Sequence, residues 1–261
     1  MHYVRAGSGE PPLVFVHGFC CSHDDWLLQM QELKSRFEVV ACDLRGHGQT
    51  PGRPQECSIE HFGGDVAALL PVLGLEKPIL IGHSMGCRVV LEAARVAPER
   101  IAGLVLIDGS QQGSGDPEAA ENNARAFIEA KGFPAFAEAL FCQMFFQETD
   151  LSRAIVARAL RVPAENGSAL WPRMARWDAM YVEQVLAGLR VPLMAIQSTY
   201  LNAERKRLPL AQGQSSPWLD LLKKSGNNFR IEILPGLGHF PQLEAADRVN
   251  RLISDFAAAG R

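Results

Sequence analysis

Six apolar runs limit what this chain can become: residues 12–16, 37–42, 78–81, 101–107, 191–196 and 229–234. They are read as continuous rather than alternating, the pattern of strands covered on both faces and so of a mainly parallel sheet. Helical stretches fall between them. Residues 24–35 place Trp26, Leu27, Met30 and Leu33 on one stripe. Residues 58–73 open on Ser58 as a cap and repeat apolar side chains at 62, 66, 69, 70 and 73. Residues 85–97 stop at Pro98, and 243–258 carry Val249, Leu252, Ile253 and Phe256 at helical spacing. Strand–helix alternation of this kind predicts an α/β domain.

One stretch breaks the rhythm. About eighty residues separate the runs at 101–107 and 191–196, far more than one crossover helix needs. Residues 111–118 are rich in glycine and polar side chains and read as a hinge; helical runs follow at 119–131, 133–146, 151–162 and 171–188. The expected organisation is a core of residues 1–110 and 189–261 with a helical cap, 111–188, inserted.

Composition narrows the function classes. The chain is 47% hydrophobic and 21% charged, which excludes a disordered or fibrous protein. A net charge of −3 gives no reason to expect nucleic acid or an anionic membrane as partner. Of the six cysteines none forms a C-x-x-C pair, which argues against a zinc ribbon or disulfide framework and for a reducing compartment. The N-terminus has no basic region followed by an apolar one, and no apolar run approaches the ~18 residues of a membrane span. The expectation is a soluble cytoplasmic protein, monomeric or homodimeric, with no metal and no other cofactor.

Gly82-His83-Ser84-Met85-Gly86 carries the chemistry. It matches G-x-S-x-G, with an apolar strand leading in and a helix leading out, the context of a serine nucleophile on a sharp turn. The flanking glycines fit a strained backbone that side chains would obstruct, and the helix start adds positive potential beside a developing oxyanion. Here the chain resembles the α/β-hydrolase family over nearly its whole length. Four further segments fall in the family's order: Pro12-Leu13-Val14-Phe15-Val16-His17-Gly18, the Asp43-Leu44-Arg45-Gly46-His47-Gly48 turn, the insert after the sixth family strand, and Gly236-Leu237-Gly238-His239-Phe240. The resemblance implies an α/β-hydrolase fold, a mostly parallel central sheet flanked by helices with an inserted helical cap. On it the chain begins near the family's second strand.

A serine hydroxyl needs a base that takes its proton and returns it to the leaving group. His239, after a strand and a glycine-rich turn, stands where the resemblance puts that base. His17 and His47 read as turn-stabilising residues, His83 as pointing away from the nucleophile, and His2, His23 and His61 as outside any motif. The acid is less direct. The segment where many relatives carry an Asp reads Gln197-Ser198-Thr199-Tyr200-Leu201-Asn202-Ala203-Glu204, with no Asp. Asn202 cannot hold the charge that stabilises an imidazolium. Asp108, the position a subset of the family uses, is favoured, with Glu204 second. The oxyanion hole is expected at the backbone amides of Phe19 and Met85.

Weaker signals are Cys20-Cys21, read as packing residues before pocket lining; Trp26, Trp171, Trp177 and Trp218, contacts to an apolar substrate or packing; Met85, Phe141, Met144, Phe145 and Phe146, core or an apolar pocket ceiling; and Arg45 and Arg88 near the rim, solvated or meeting a substrate carboxylate. The reading that follows is a serine esterase or lactonase forming an acyl-enzyme on Ser84, its partner a small-molecule ester or lactone. Two alternatives stand beside it. One is a cofactor-independent dioxygenase of the same fold, with His239 and Asp108 as the base and Ser84 only binding. The other is a non-catalytic ligand-binding homologue. Epoxide hydrolases and haloalkane dehalogenases are disfavoured, because their nucleophile is an Asp where this chain has Ser84.

Overall fold

The computed structural model describes residues 1–202, 204–226 and 229–259. The apolar runs become β2 (Leu13–Val16), β3 (Val39–Cys42), β4 (Ile79–His83), β5 (Gly103–Ile107), β6 (Leu193–Gln197) and β9 (Phe229–Ile233). A strand not anticipated from the sequence, β1 (Tyr3–Ala6), pairs antiparallel with β3 at one edge. The sheet runs β1-β3-β2-β4-β5-β6-β9, all parallel except β1. Buried neighbours surround β2 to β6 on both sides, which is why those runs are unbroken. The last run differs: β9 is an edge strand with half-exposed and exposed residues, so Arg230 and Glu232 alternate with apolar positions.

Successive side chains of each strand feed two cores. Leu13, Phe15, Ile79, Ile81, Val105 and Ile107 pack with α1 (Leu27–Leu33) and α11 (Ala246–Ala259) on one face. Val14, Val16, Leu80, Leu104 and Leu106 pack with α2 (Ile59–Val72) and α3 (Met85–Val96) on the other. Ser58 caps α2, accepting from the His61 amide at 3.3 Å.

The stretch between β5 and β6 is helical: α4 (Pro117–Glu129), α5 (Phe133–Cys142), α6 (Asp150–Ala159), α7 (Ala164–Trp177), a π-helical turn (Asp178–Val182) and α8 (Glu183–Gly188). α7 starts seven residues before the sequence reading placed it, since Asn166, Gly167 and Pro172 are poor helix formers. Gly167 is there for contact, because a Cβ would sit 2.0 Å from the Phe133 ring. A small hairpin, β7 (Thr199–Leu201) and β8 (Arg207–Pro209), follows β6 and was also not foreseen. After it come α9 (Pro217–Lys224), β9 and a short helix α10 (Pro241–Glu244), with a break at Ala245 before α11.

Candidate active site

The β4–β5 register places His83 beside Ile107, so Ser84 and Asp108 leave adjacent strand tips at the carboxyl edge of the sheet, where open α/β sheets bind ligands. Both residues take backbone conformations that L-residues avoid: φ is +54° at Ser84 and +48° at Asp108. Such positions cost about 1–3 kcal/mol each and persist only where the surroundings enforce them. Two bonds do so: the Ser84 amide donates to Ile107 O (2.9 Å) and the Asp108 amide to Ile196 O (2.8 Å). Glycine is required on either side of the serine turn. A Cβ on Gly82 would lie 2.3 Å from Gly86 O, and one on Gly86 2.2 Å from Val16 O.

His239 arrives from the loop after β9. Its Nε2 lies 2.8 Å from Ser84 Oγ and its Nδ1 2.6 Å from Asp108 Oδ2. A carboxylate only accepts, so Nδ1 carries the proton and Nε2 presents a lone pair to the serine hydroxyl. The structure therefore brings Ser84, His239 and Asp108 into one hydrogen-bonded row. Glu204 lies apart from it, exposed in a turn, and both His239 nitrogens are already engaged.

The segment that lacks an Asp has a different task. Asp108 Oδ1 accepts from the amides of Ser198 (2.7 Å) and Thr199 (2.8 Å). Oδ2 accepts from Thr199 Oγ1 and from Arg207 Nη1, the latter at 3.3 Å. Burial works to raise the Asp108 carboxyl, but the bond to His239, the His239 charge and Arg207 outweigh it and hold the carboxyl below its ordinary value. Arg207 is itself buried, and the loss of solvent brings its guanidinium down to about 10. No sequence signal marked this arginine.

The loop that carries His239 is anchored on every side. Its amide donates to Met144 O at 2.7 Å, and its carbonyl accepts from His83 Nε2 at 2.7 Å. Glu244 accepts from the Gly238 amide (2.9 Å) and the Phe240 amide (3.3 Å). His83 thus serves the loop and not the serine. His17 behaves similarly: Nδ1 donates to Gly18 O (2.8 Å) and Nε2 accepts from the Leu44 amide (3.0 Å), fixing the turn next to Ser84.

A cavity of about 50 Å³ opens on Ser84, bordered by Phe19, Met85, Met144, Trp171 and Met174, among others. That holds only a few water molecules. Of the expected ceiling, Met85 and Met144 border it; Phe141 is core, Phe145 stacks on Phe240 with ring centres 5.2 Å apart, and Phe146 is exposed. Trp26, Trp177 and Trp218 are buried packing residues, as are Cys20 and Cys21. Arg88 corrects the sequence reading. It is buried and forms a two-point pair with Asp178 (2.8 and 2.7 Å), so it is neither solvated nor free for a ligand. Arg45 is paired with Asp65.

His2 and His23, outside any motif, share the buried carboxylate of Asp43, each with Nδ1 at 3.0 Å. Their donor atoms are close enough to share a metal ion, but Asp43 already accepts from the His23 and Gln49 amides. Among the described residues no helix is long and apolar enough to cross a membrane.

Comparison with known proteins adds three findings. The model of the Alpha/beta hydrolase family matches residues 13–252. Two curated proteins align over almost the whole chain. The dihydrolipoyllysine-residue acetyltransferase component of the acetoin cleaving system of Pseudomonas putida is 29% identical over 97% of this chain, which spans 65% of that protein. The pimeloyl-[acyl-carrier protein] methyl ester esterase of Methylococcus capsulatus is 27% identical over 98% of both chains. Among solved structures, a thermophilic esterase from Thermogutta terrifontis superposes with a TM-score of 0.81 at 27% identity, covering 99% of this chain and 93% of that one.

Proposed function

The chain belongs to the alpha/beta hydrolase family, and from that premise we propose that it is a serine hydrolase cleaving a carboxylic ester or lactone through an acyl-enzyme on Ser84. The observation that carries the reading is the 2.8 Å contact between Ser84 Oγ and the unprotonated Nε2 of a histidine whose other nitrogen is held by a buried carboxylate. Esterases among the full-length relatives support the ester class.

The steps follow from the geometry. Ser84 Oγ attacks the substrate carbonyl carbon as its proton passes to His239 Nε2. Asp108 keeps the imidazolium oriented and compensates its charge. The amides of Phe19 and Met85, at the cavity wall and the start of α3, receive the oxyanion. His239 then protonates the leaving alcohol, and water repeats the sequence to release the acid. In this reading the helices from 117 to 188 are a cap: Leu140, Met144, Trp171 and Met174 close the cavity over the serine. A fluorophosphonate probe should attach to one residue, mapped by mass spectrometry to Ser84, and pretreatment should abolish cleavage of short-chain esters and lactones. Attachment elsewhere, or cleavage that survives full attachment, rejects the assignment.

The pH dependence follows from the same surroundings. Burial, and after it the Arg207 charge, bring the His239 imidazole down to about 4, against the opposing bond and charge of Asp108. The base is active when neutral, so kcat/KM should hold through pH 5–6 and fall to half near pH 4. Stability runs with the same sign. His17, His47, His83 and His239 are all held below the ordinary histidine value, chiefly by burial. Below pH ~6.5 the unfolded chain binds protons that the native one refuses, so stability is lost as pH falls toward 4. A rate profile at 20 °C with circular dichroism at each pH separates the two effects; a half-loss of rate near pH 6.5 in folded protein contradicts the first.

A further inference from the structure

Three arginines, Arg88, Arg205 and Arg207, border the cavity at Ser84, and among the described residues no carboxylate does. Two carboxylates behind the wall answer them: Asp178 takes Arg88 and Asp108 takes Arg207. Arg205 pairs with no carboxylate among the described residues. Its Nη2 donates to Gln112 O at 3.1 Å, and its guanidinium lies over the Phe127 ring, 5.2 Å from the centroid. A neutral carbonyl and a ring face leave a full positive charge uncompensated.

The placement of that charge is built. Asn202 Oδ1 accepts from the Lys206 amide at 2.9 Å, and Arg205 itself has φ +59°. Outside the cavity lies a second hollow of about 330 Å³, bordered by Ser110, Ser114, Asn202 and Pro217. Gln112, Leu201 and Arg205 border both spaces. Two residues of the cavity wall each carry a buried polar atom without a partner among the described residues, Gln112 Oε1 and Arg207 Nε. An unsatisfied donor and an unsatisfied acceptor at that depth cost free energy unless a ligand engages them.

We propose that Arg205, as the counter-ion at the junction between the two hollows, makes this site select esters that carry a carboxylate. The proposal rests on the serine-hydrolase reading for the reacting end of the substrate and adds the identity of the other end. The ester carbonyl sits at Ser84, and the carboxylate reaches outward to the guanidinium.

The test compares monomethyl adipate with its primary amide, methyl adipamate, which has the same length and no charge. The wild-type protein should favour the acid at least tenfold in kcat/KM, measured by methanol release. Arg205→Gln should bring that ratio to within about twofold of one, and Arg205→Lys should keep most of it. Calorimetric binding of the same pair to Ser84→Ala should show the same preference without turnover. A wild-type ratio near one in both readouts, or a ratio untouched by Arg205→Gln, overturns the proposal. The two readings fail separately. Serine-dependent hydrolysis without preference removes only the carboxylate selection. Preferential binding with no hydrolysis of either ester removes only the hydrolase reading.

Discussion

Ser84→Ala is expected to lower kcat on a small ester by roughly 10⁶, with KM changed severalfold at most. The size follows from what the residue does in the proposed mechanism. Without Oγ no acyl-enzyme forms, His239 has no proton to accept, and the rest of the site can only bind substrate and polarise it. The fold should survive. Alanine removes one oxygen, while the bonds that hold the turn run through the backbone, from the Ser84 amide to Ile107 O and through the glycines beside it. Circular dichroism and kcat/KM on the purified variant check both points. Wild-type turnover in Ser84→Ala would remove the acyl-enzyme mechanism. Oxygen uptake with a hydroxyquinolone by that variant would hand the site to a His239–Asp108 base acting alone.

Asp108→Asn should cost roughly 10⁴ in kcat while the site keeps its shape. The structure says which way the amide would settle. Oδ1 accepts from two backbone amides, so the asparagine oxygen must occupy that place. Its NH₂ then faces His239 Nδ1, which now has to accept. The imidazole proton moves to Nε2, where it confronts Ser84 in place of a lone pair. The NH₂ also meets the Arg207 donor, now without a negative partner. Glu204→Gln is the control: the residue is exposed and outside the hydrogen-bonded row, so kcat should stay within twofold. Equal rates for Asp108→Asn and wild type, or a large loss in Glu204→Gln, would reverse the choice of acid.

How far these residues could be read from the chain alone depended on how local their signals were. The central strands announce themselves because burial on both faces demands unbroken apolar runs. The serine turn does so because its geometry admits only glycine at positions 82 and 86. Strand Tyr3–Ala6 is half-exposed and mixes arginine with tyrosine, so nothing in four residues separates it from a loop; its pairing with Val39–Cys42 defines it. The hairpin after β6 was invisible for the same reason. Its tie to Asp108 spans 99 positions at Arg207, and the Arg88–Asp178 pair spans 90. Complementarity at such separations leaves no periodicity or spacing to detect. Residues 197–204, where many relatives carry the acid, lie beside it in space: the Ser198 and Thr199 amides hold Asp108 instead of supplying an acid.

The bond from the His239 amide to Met144 O has a mechanical side. Met144 also borders the narrow cavity at Ser84. Swinging the chain after α5 outward to make room would drag the imidazole off the serine or sever a contact worth about 0.5–1.5 kcal/mol. That wall is clamped to the Ser84–His239 pair, so widening that leaves the pair aligned has to come from another side of the chamber.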